Sequence, residues 1–375
     1  MGRSEGGASL PMRELVYYLP GGDGSSPAKV ASCVWENLYD VRDDLDADLL
    51  LLADDPRAAA EYPDVAITPS EARDHVAGAV FYYPLNPVLG LGPRPRALMR
   101  LRRMGARLAC DFHGDVREDL YYHLLNRDIG LFLFSIPTAA LAPWMVNWPE
   151  LIVMHSRYHE RIVRGHYSIR ARTEIVPNGI DAGLLDHPPP SFRLEGGPSV
   201  FYHGRLAHEK GVDLLVEAMA ALPSGLRGTA HLHVSGGGPL RRSLGRRAAR
   251  LGLEGQVHLL GHLPIEEVYA RIRAADVVVY PSRYDNFPVA VLEALALAEG
   301  PVIMSDHMGL VELTGPGLAA DIIEPTASAV RDSIVRVAGG SGDLAAIVKE
   351  QRALARSLTW DRVARRYLEV LNGIQ

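Results

Sequence analysis

The chain has 375 residues, 47% of them hydrophobic and 22% charged, with a formal net charge of −6. That length exceeds one ordinary core and predicts two domains of soluble globular character. The acidic balance speaks against general nucleic-acid binding, and the two cysteines, Cys33 and Cys110, imply neither a disulfide framework nor a cysteine zinc site.

The opening stretch MGRSEGGASLPMREL lacks an apolar run, so no signal peptide is expected and the cytoplasm is the default location. Apolar segments at Leu15–Leu19, Asp48–Leu52, Ala79–Tyr83, Arg107–Phe112, Leu151–Met154 and Thr173–Val176 predict strands. Helical stretches such as Ala28–Asn37 and Arg96–Met104 separate several of them, which predicts a parallel sheet with helices on both faces. Ligands of such sheets sit at the carboxyl ends of the strands. The loop Pro20–Pro27 follows the first strand, and its Gly22 suits close approach to a ligand; a mobile loop is the alternative.

Asp46-Ala-Asp48 has the look of a D-x-D metal motif but precedes a strand, at the wrong end of the sheet. Arg94, Arg96, Arg100, Arg102, Arg103 and Arg107 cluster near one helix. A solvated face is favoured there over peripheral contact with a membrane or an acidic acceptor. His113 ends a strand, where it can hydrogen-bond a substrate or merely satisfy its own turn. The uncharged run from Ile129 to Val146 barely reaches membrane-spanning length and is interrupted by Pro137 and Pro143. A buried helix and turn lining an acceptor pocket is the favoured reading. His155 and His159 have helical metal spacing, but His155 belongs to a strand end and Ser156 to a helix N-cap, so no metal is expected.

The pattern restarts after Asp186-His-Pro-Pro-Pro-Ser191 and Gly196-Gly-Pro198, a stiff linker. Strands are predicted near Val200–His203, Ala230–Ser235, Gln256–Leu260, Val277–Tyr280 and Val302–Met304. This organisation gives two Rossmann-like domains, at 1–182 and 199–357, joined by 183–198. A closing helix within 358–375 packs back on the first domain.

The second half holds the most chemistry. Gly204 follows a strand and permits close backbone approach, while Arg205 and Lys210 supply a planar fork and a point charge, a pairing suited to a diphosphate. A pair of solvated surface cations is the bland alternative. A glycine turn containing Gly237 follows the next strand, and His262 and Leu263 follow the one after, where backbone can read a base edge; plain turns fit the spacing equally well. Asp285 and Glu293 stand eight positions apart around a helix start at Asn286-Phe287-Pro288-Val289, whose free N–H groups suit an anion. A nucleotide-sugar combines the sugar and phosphate that such a site accommodates.

GRLAHEKG at 204–211, SGGGPL at 235–240, VHLLGHLP at 257–264, PSRYDNFPVAVLEALA at 281–296 and PVIMSDHMGLVEL at 301–313 together resemble the donor domain of glycosyltransferase family 4. IVPNGID at 175–181 and the Trp360 helix also fit. The resemblance implies the GT-B fold, with two Rossmann-like domains facing a central cleft, and retaining, metal-independent transfer. It implies that Arg205 and Lys210 hold the donor diphosphate and that Glu293 binds the ribose hydroxyls. Asp285 takes the place of the acid that contacts the transferred sugar, and Asn286 and Phe287 lie where backbone meets sugar and phosphate. The family usually has Glu at that first acid. Asp reaches about 1.5 Å less far, so the donor sugar is expected to sit deeper or present different hydroxyls, or the contact to pass through water.

The implied reaction moves a sugar from a UDP- or GDP-sugar to a small natural product, a polysaccharide or a lipid. No further cofactor is expected. A phosphorylase or epimerase on the same fold, and a non-catalytic nucleotide-sugar-binding protein, are the alternatives. The Ala-, Arg- and Gly-rich composition suits a high-GC bacterium.

Overall fold

Short β-branched and aromatic runs, each followed by a turn and a helix, build two all-parallel sheets. The structure, a computed structural model, describes residues 14–20, 26–68, 70–75, 78–85, 95–186, 188, 193–340 and 342–374. The first sheet comprises β1 (Glu14–Leu19), β2 (Asp48–Ala53), β3 (Val80–Leu85), β4 (Arg107–Phe112), β5 (Leu151–Met154) and β6 (Arg172–Ile175), in the order β2-β1-β3-β4-β5-β6. The second comprises β7 (Ser199–His203), β8 (His231–Ser235), β9 (Val257–Gly261), β10 (Val277–Tyr280), β11 (Val302–Ser305) and β12 (Ile322–Ile323), in the order β12-β11-β10-β7-β8-β9. All eleven expected strands form, and the two-residue β12 is an addition. Its brevity left no run long enough to read.

In each sheet the chain reverses its direction of winding once, between β1 and β3 and between β10 and β7. Loops diverge at such a switch point and leave a crevice at the strands' carboxyl ends. Both crevices open on one cleft, because hydrogen bonds join the loops across it. Ser156 Oγ donates to the Asn286 carbonyl at 2.8 Å, and Asn178 Nδ2 to the Phe287 carbonyl at 3.1 Å.

The helix Trp360–Asn372 crosses back to the first sheet. Its N–H at Trp360 donates to the Ile180 carbonyl at 2.9 Å, and Trp360, Val363, Tyr367 and Leu371 pack with Leu15 and Tyr17 of β1. This is one apolar stripe at helical spacing, so burial against the sheet is the stable docking.

One expectation fails. The run Ile129–Met145 is a continuous helix with Pro137 and Pro143 inside it, and most of it is exposed rather than buried. Only Ser135, Ala142 and Met145 of this helix are buried. The prolines are tolerated because both lie on the solvent side, where a carbonyl that loses its helical partner meets water. Among the described residues, no helix is long and apolar enough to cross a membrane.

Candidate functional site

The second sheet's switch point carries the cations. β7 ends at His203, and the turn after it bears Arg205, then one 3-10 turn, His208–Lys210. Gly211 closes that turn at φ 64° and opens the helix Val212–Ala220. Arg205 is ion-paired with Glu209, a carboxylate buried to 5% exposure. Asn126, from the first half of the chain, donates to the same carboxylate at 3.0 Å and accepts from the His208 N–H at 2.9 Å. Lys210 Nζ lies 2.5 Å from Asp285 Oδ2. The cations and Asp285 are therefore brought together, at the ends of β7 and β10.

Asp285 itself is locked in place by backbone. Its N–H donates to the His307 carbonyl at 3.1 Å, and its carbonyl accepts from Gly309 at 3.1 Å. Arg283, two residues before, forms a double hydrogen bond to Asp213, both at 2.8 Å, which pins the start of this loop. The helix Val289–Leu297 follows with Pro288 as N-cap and no side-chain cap. Pro288 and Val289 thus present an uncapped helix start to the cleft side of the loop. Phe287 has a buried ring in the second core, and its carbonyl, like that of Asn286, is engaged across the cleft. Glu293 lies on the second turn of the helix and accepts from the Tyr269 hydroxyl at 2.8 Å.

The glycine turns interlock. A Cβ on Gly236 would lie 2.0 Å from the Gly204 carbonyl oxygen, and one on Gly237 would lie 2.3 Å from His262 Nε2. Gly204, Gly237 and His262 are thus neighbours at the ends of β7, β8 and β9. Leu263 beside them packs against the second core. Gly22 lies outside the described residues.

Across the cleft, His113 follows β4 with its side chain 4% exposed. His155 Nδ1 contacts the Val176 carbonyl at 3.1 Å, so that nitrogen carries the proton and His155 Nε2 is an acceptor. It lies 3.1 Å from His113 Nδ1, which donates to it. His113 Nε2 is left as a buried lone pair without a hydrogen-bond partner among the described residues. Burial holds the His113 pKa down at about 4, with Asp111 opposing and His155 assisting. The ring is neutral at pH 7. Asp111, whose Oδ2 accepts from Tyr367 of the closing helix at 2.9 Å, stands 3.6 Å from that nitrogen.

Two groups of described residues bring three metal-ligating atoms together: Asp111, His113 and His155, and Glu195, His231 and His258. In each, two histidine nitrogens are already hydrogen-bonded to one another, at 3.1 Å and 2.9 Å. The second group stands at the amino ends of β8 and β9, away from the cleft. Asp48 opens β2, also at an amino end. Ser156 caps the helix Arg157–His166, so His155 lies before that helix and His159 on it.

Sequence reasoning missed Glu209, Asn126, Tyr269 and Asp119, and weighed His155 only as a metal ligand. Glu209 had a signal, an acid set between two cations. Asp119 had none: burial pushes its carboxyl up to about 7, with Arg205 opposing and neighbouring acids reinforcing the rise.

Replacing His113 by alanine is expected to reduce turnover at least tenfold and to flatten the acid limb of stability. The native ring rejects a proton that the unfolded chain accepts near pH 6.5. Stability is thus full above 6.5 and falls by about 3 kcal/mol towards pH 4. His159, also pushed down by burial, keeps part of that acid limb in the variant. Denaturant titrations at pH 7 and pH 4.5 measure the difference, and equal slopes for both proteins would remove His113 from this role.

Residues 187–350 match the model of the family described as glycosyl transferases group 1. An alpha-D-kanosaminyltransferase of Streptomyces kanamyceticus is 31% identical over 134 residues, 36% of this chain and 34% of its own. A glycogen synthase of Mycobacterium tuberculosis is 32% identical over 232 residues, 59% of this chain and 53% of its own. The chain thus spans between about a third and a half of the length of these curated relatives. The crystal structure of Anabaena Alr3699/HepE in complex with UDP and glucose superposes with a TM-score of 0.68 at 16% identity, covering 96% of this chain and all of that one. Its low identity bears on the fold alone. The segment 187–350 is thus similar to glycosyl transferases group 1, and the two facing sheets give the chain the GT-B fold.

Proposed function

We propose that this chain transfers a sugar, with retention and without a metal ion, from a UDP- or GDP-sugar to an acceptor hydroxyl. The observation that carries the reading is the convergence of Arg205, Lys210 and Asp285 at the switch point of the second sheet, across the cleft from the lone pair of His113. In the reaction the bond from the sugar's C1 to the diphosphate oxygen breaks. A bond from C1 to the acceptor oxygen forms on the same face, and the acceptor's proton passes to the departing phosphate oxygen. Arg205, Lys210 and the helix start at Val289 carry the charge that grows on the diphosphate. Two fixed cations supply the charge compensation that a metal gives elsewhere. Glu293 holds the ribose hydroxyls, the Gly204 and Gly237 turns admit the diphosphate, and the backbone at His262 and Leu263 faces the base. His113 accepts from a sugar or acceptor hydroxyl.

The presence of UDP and glucose in the HepE structure supports a nucleoside-diphosphate donor. Kanosamine transfer and glycogen synthesis, as the relatives are named, involve different acceptors and leave small natural product, polysaccharide and lipid acceptors alike open. The binding-only alternative draws on the Lys210–Asp285 pair, in which the shorter acid reaches the cation rather than standing free.

A thermal-shift screen of nucleoside diphosphates and their sugars tests the reading. A ligand at 100 times its Kd adds about 2.7 kcal/mol of stability. Glu293→Ala is expected to weaken that ligand's binding roughly 10–100-fold, since a hydrogen bond to a charged group contributes about 1.5–3 kcal/mol. Release of nucleoside diphosphate only when acceptor is present separates transfer from binding alone. Unchanged affinity in Glu293→Ala would refute the ribose assignment.

A further inference from the structure

Three histidines stack on the second sheet, toward the end opposite the cleft. His231 opens β8, His233 stands two residues on, and His258 of β9 is the register partner of His233. Residues two apart on one strand, or directly opposite on the next, share a face of the sheet. The His233 and His258 rings accordingly lie 4.7 Å apart at 18°, and the His231 and His258 rings 5.2 Å apart at 17°. His231 Nδ1 is 2.9 Å from His258 Nε2. The Glu195 carboxylate completes the group, with Oε2 4.0 Å from His231 Nδ1, and the three ligand atoms lie within 4.8 Å of one another.

The fold holds the Glu195 backbone beside this pair of rings. Glu195 lies on the segment that enters β7, and its carbonyl accepts from His233 Nε2 at 2.8 Å. The Gly197 N–H donates to the Thr229 carbonyl at 2.8 Å, and the His231 N–H to the Pro198 carbonyl at 3.1 Å. Gly196, at φ 116°, approaches so closely that a Cβ there would lie 2.8 Å from His231 Cβ. The Glu195 side chain itself is 72% exposed and can turn.

The donor set selects its ligand. Two imidazole nitrogens and one carboxylate oxygen suit an ion of the zinc class, whereas magnesium and calcium favour oxygen ligands alone. Ligand atoms around a tetrahedral zinc ion stand roughly 3.3–3.5 Å apart. The two rings reach that spacing by parting about 0.4 Å, and Glu195 by closing about 0.6 Å on His231. The ring that yields the bridging proton takes one on its other nitrogen, so both imidazoles bind neutral and water fills the fourth position.

We propose that Glu195, His231 and His258 bind a divalent transition-metal ion of the zinc class. The ion ties the segment entering β7 to β8 and to β9, the strand at the sheet's edge. That segment carries the chain from the first sheet to the second, so the ion stabilises the joint between the two halves. It stands at the opposite end of the strands from Arg205 and Lys210 and takes no part in transfer.

Titration of the full, metal-stripped chain with cobalt(II), a spectroscopic stand-in for zinc, tests the proposal with no donor or acceptor present. The visible bands of a tetrahedral cobalt centre are expected to saturate near equimolar metal, to vanish on addition of zinc(II) and to survive excess magnesium. Zinc at 100 times its Kd is expected to raise the melting temperature by about 3 °C or more, and magnesium to leave it unchanged. Glu195→Gln should weaken zinc binding roughly tenfold and His231→Ala/His258→Ala at least about a hundredfold. The zinc-induced rise is compared within each protein, so a change in metal-free stability does not mask the result, and the exposed Glu195 leaves the fold of its variant intact. A wild-type melting temperature that zinc does not raise overturns the proposal and leaves the rings as a hydrogen-bonded pair. So does a cobalt spectrum that the double variant keeps in full, which puts the ion at Asp111, His113 and His155. Magnesium binding as tight as that of zinc overturns it as well.

Discussion

Alanine at Arg205 is expected to lower kcat by roughly 10²–10³-fold, the loss that follows removal of one strong donor to developing negative charge. The side chain is 54% exposed, so its removal opens no cavity in the core. Glu209, its ion-pair partner, keeps the hydrogen bond from Asn126. The melting temperature should therefore hold while turnover collapses. Lysine at this position should recover only part of the activity, because an ammonium lacks the planar fork that grips two phosphate oxygens. Initial rates of nucleoside diphosphate release at saturating donor and acceptor measure the effect. Near-normal turnover of Arg205→Ala would remove the residue from the leaving-group role.

Alanine at Gly211 should act through the fold. Its φ of 64° is the left-handed conformation that side chains disfavour, and a Cβ there would lie 1.9 Å from the Pro281 carbonyl oxygen. The Cβ is fixed directly to the backbone and the oxygen is a backbone atom, so neither can swing away. Pro281 follows β10 and leads to Asp285; Gly211 follows Lys210 directly. The substitution pushes apart the two loops that pair Lys210 with Asp285. A loss of about 3 kcal/mol or more is expected, and with it roughly 6–12 °C in the melting temperature. Gly225→Ala is the control, since that Cβ meets nothing within 4 Å and its φ is ordinary. Calorimetry of the two variants reads the contrast, and equal melting temperatures would show that the loops do not need this close approach.

Much of the candidate site was legible because its residues lie at strand ends, and strand ends are visible in sequence. A β-branched run stops, a glycine follows, and whatever charge comes next stands at the carboxyl edge of a parallel sheet. Arg205, Lys210, Asp285 and His113 were found in this way. Glu209 and Asn126 were not, since their importance comes from meeting each other across 83 positions of chain. The apolar run at 129–146 was legible as an element but misjudged in its setting. Hydropathy reports what a helix prefers to touch, whereas this helix is covered only along its Ser135, Ala142 and Met145 stripe.

The amino-acid sequence by itself determined the alternation of strands and helices, the break into two halves and the cations, acids and glycines that suit a nucleotide-sugar. These follow from local propensity and short spacing, which act within a few residues. Only the tertiary structure decided that Lys210 reaches Asp285, that His113 keeps a bare nitrogen behind its bond to His155, and that an uncharged helix stands in solvent. Those outcomes depend on strand order and on the packing of distant elements, which no local pattern encodes.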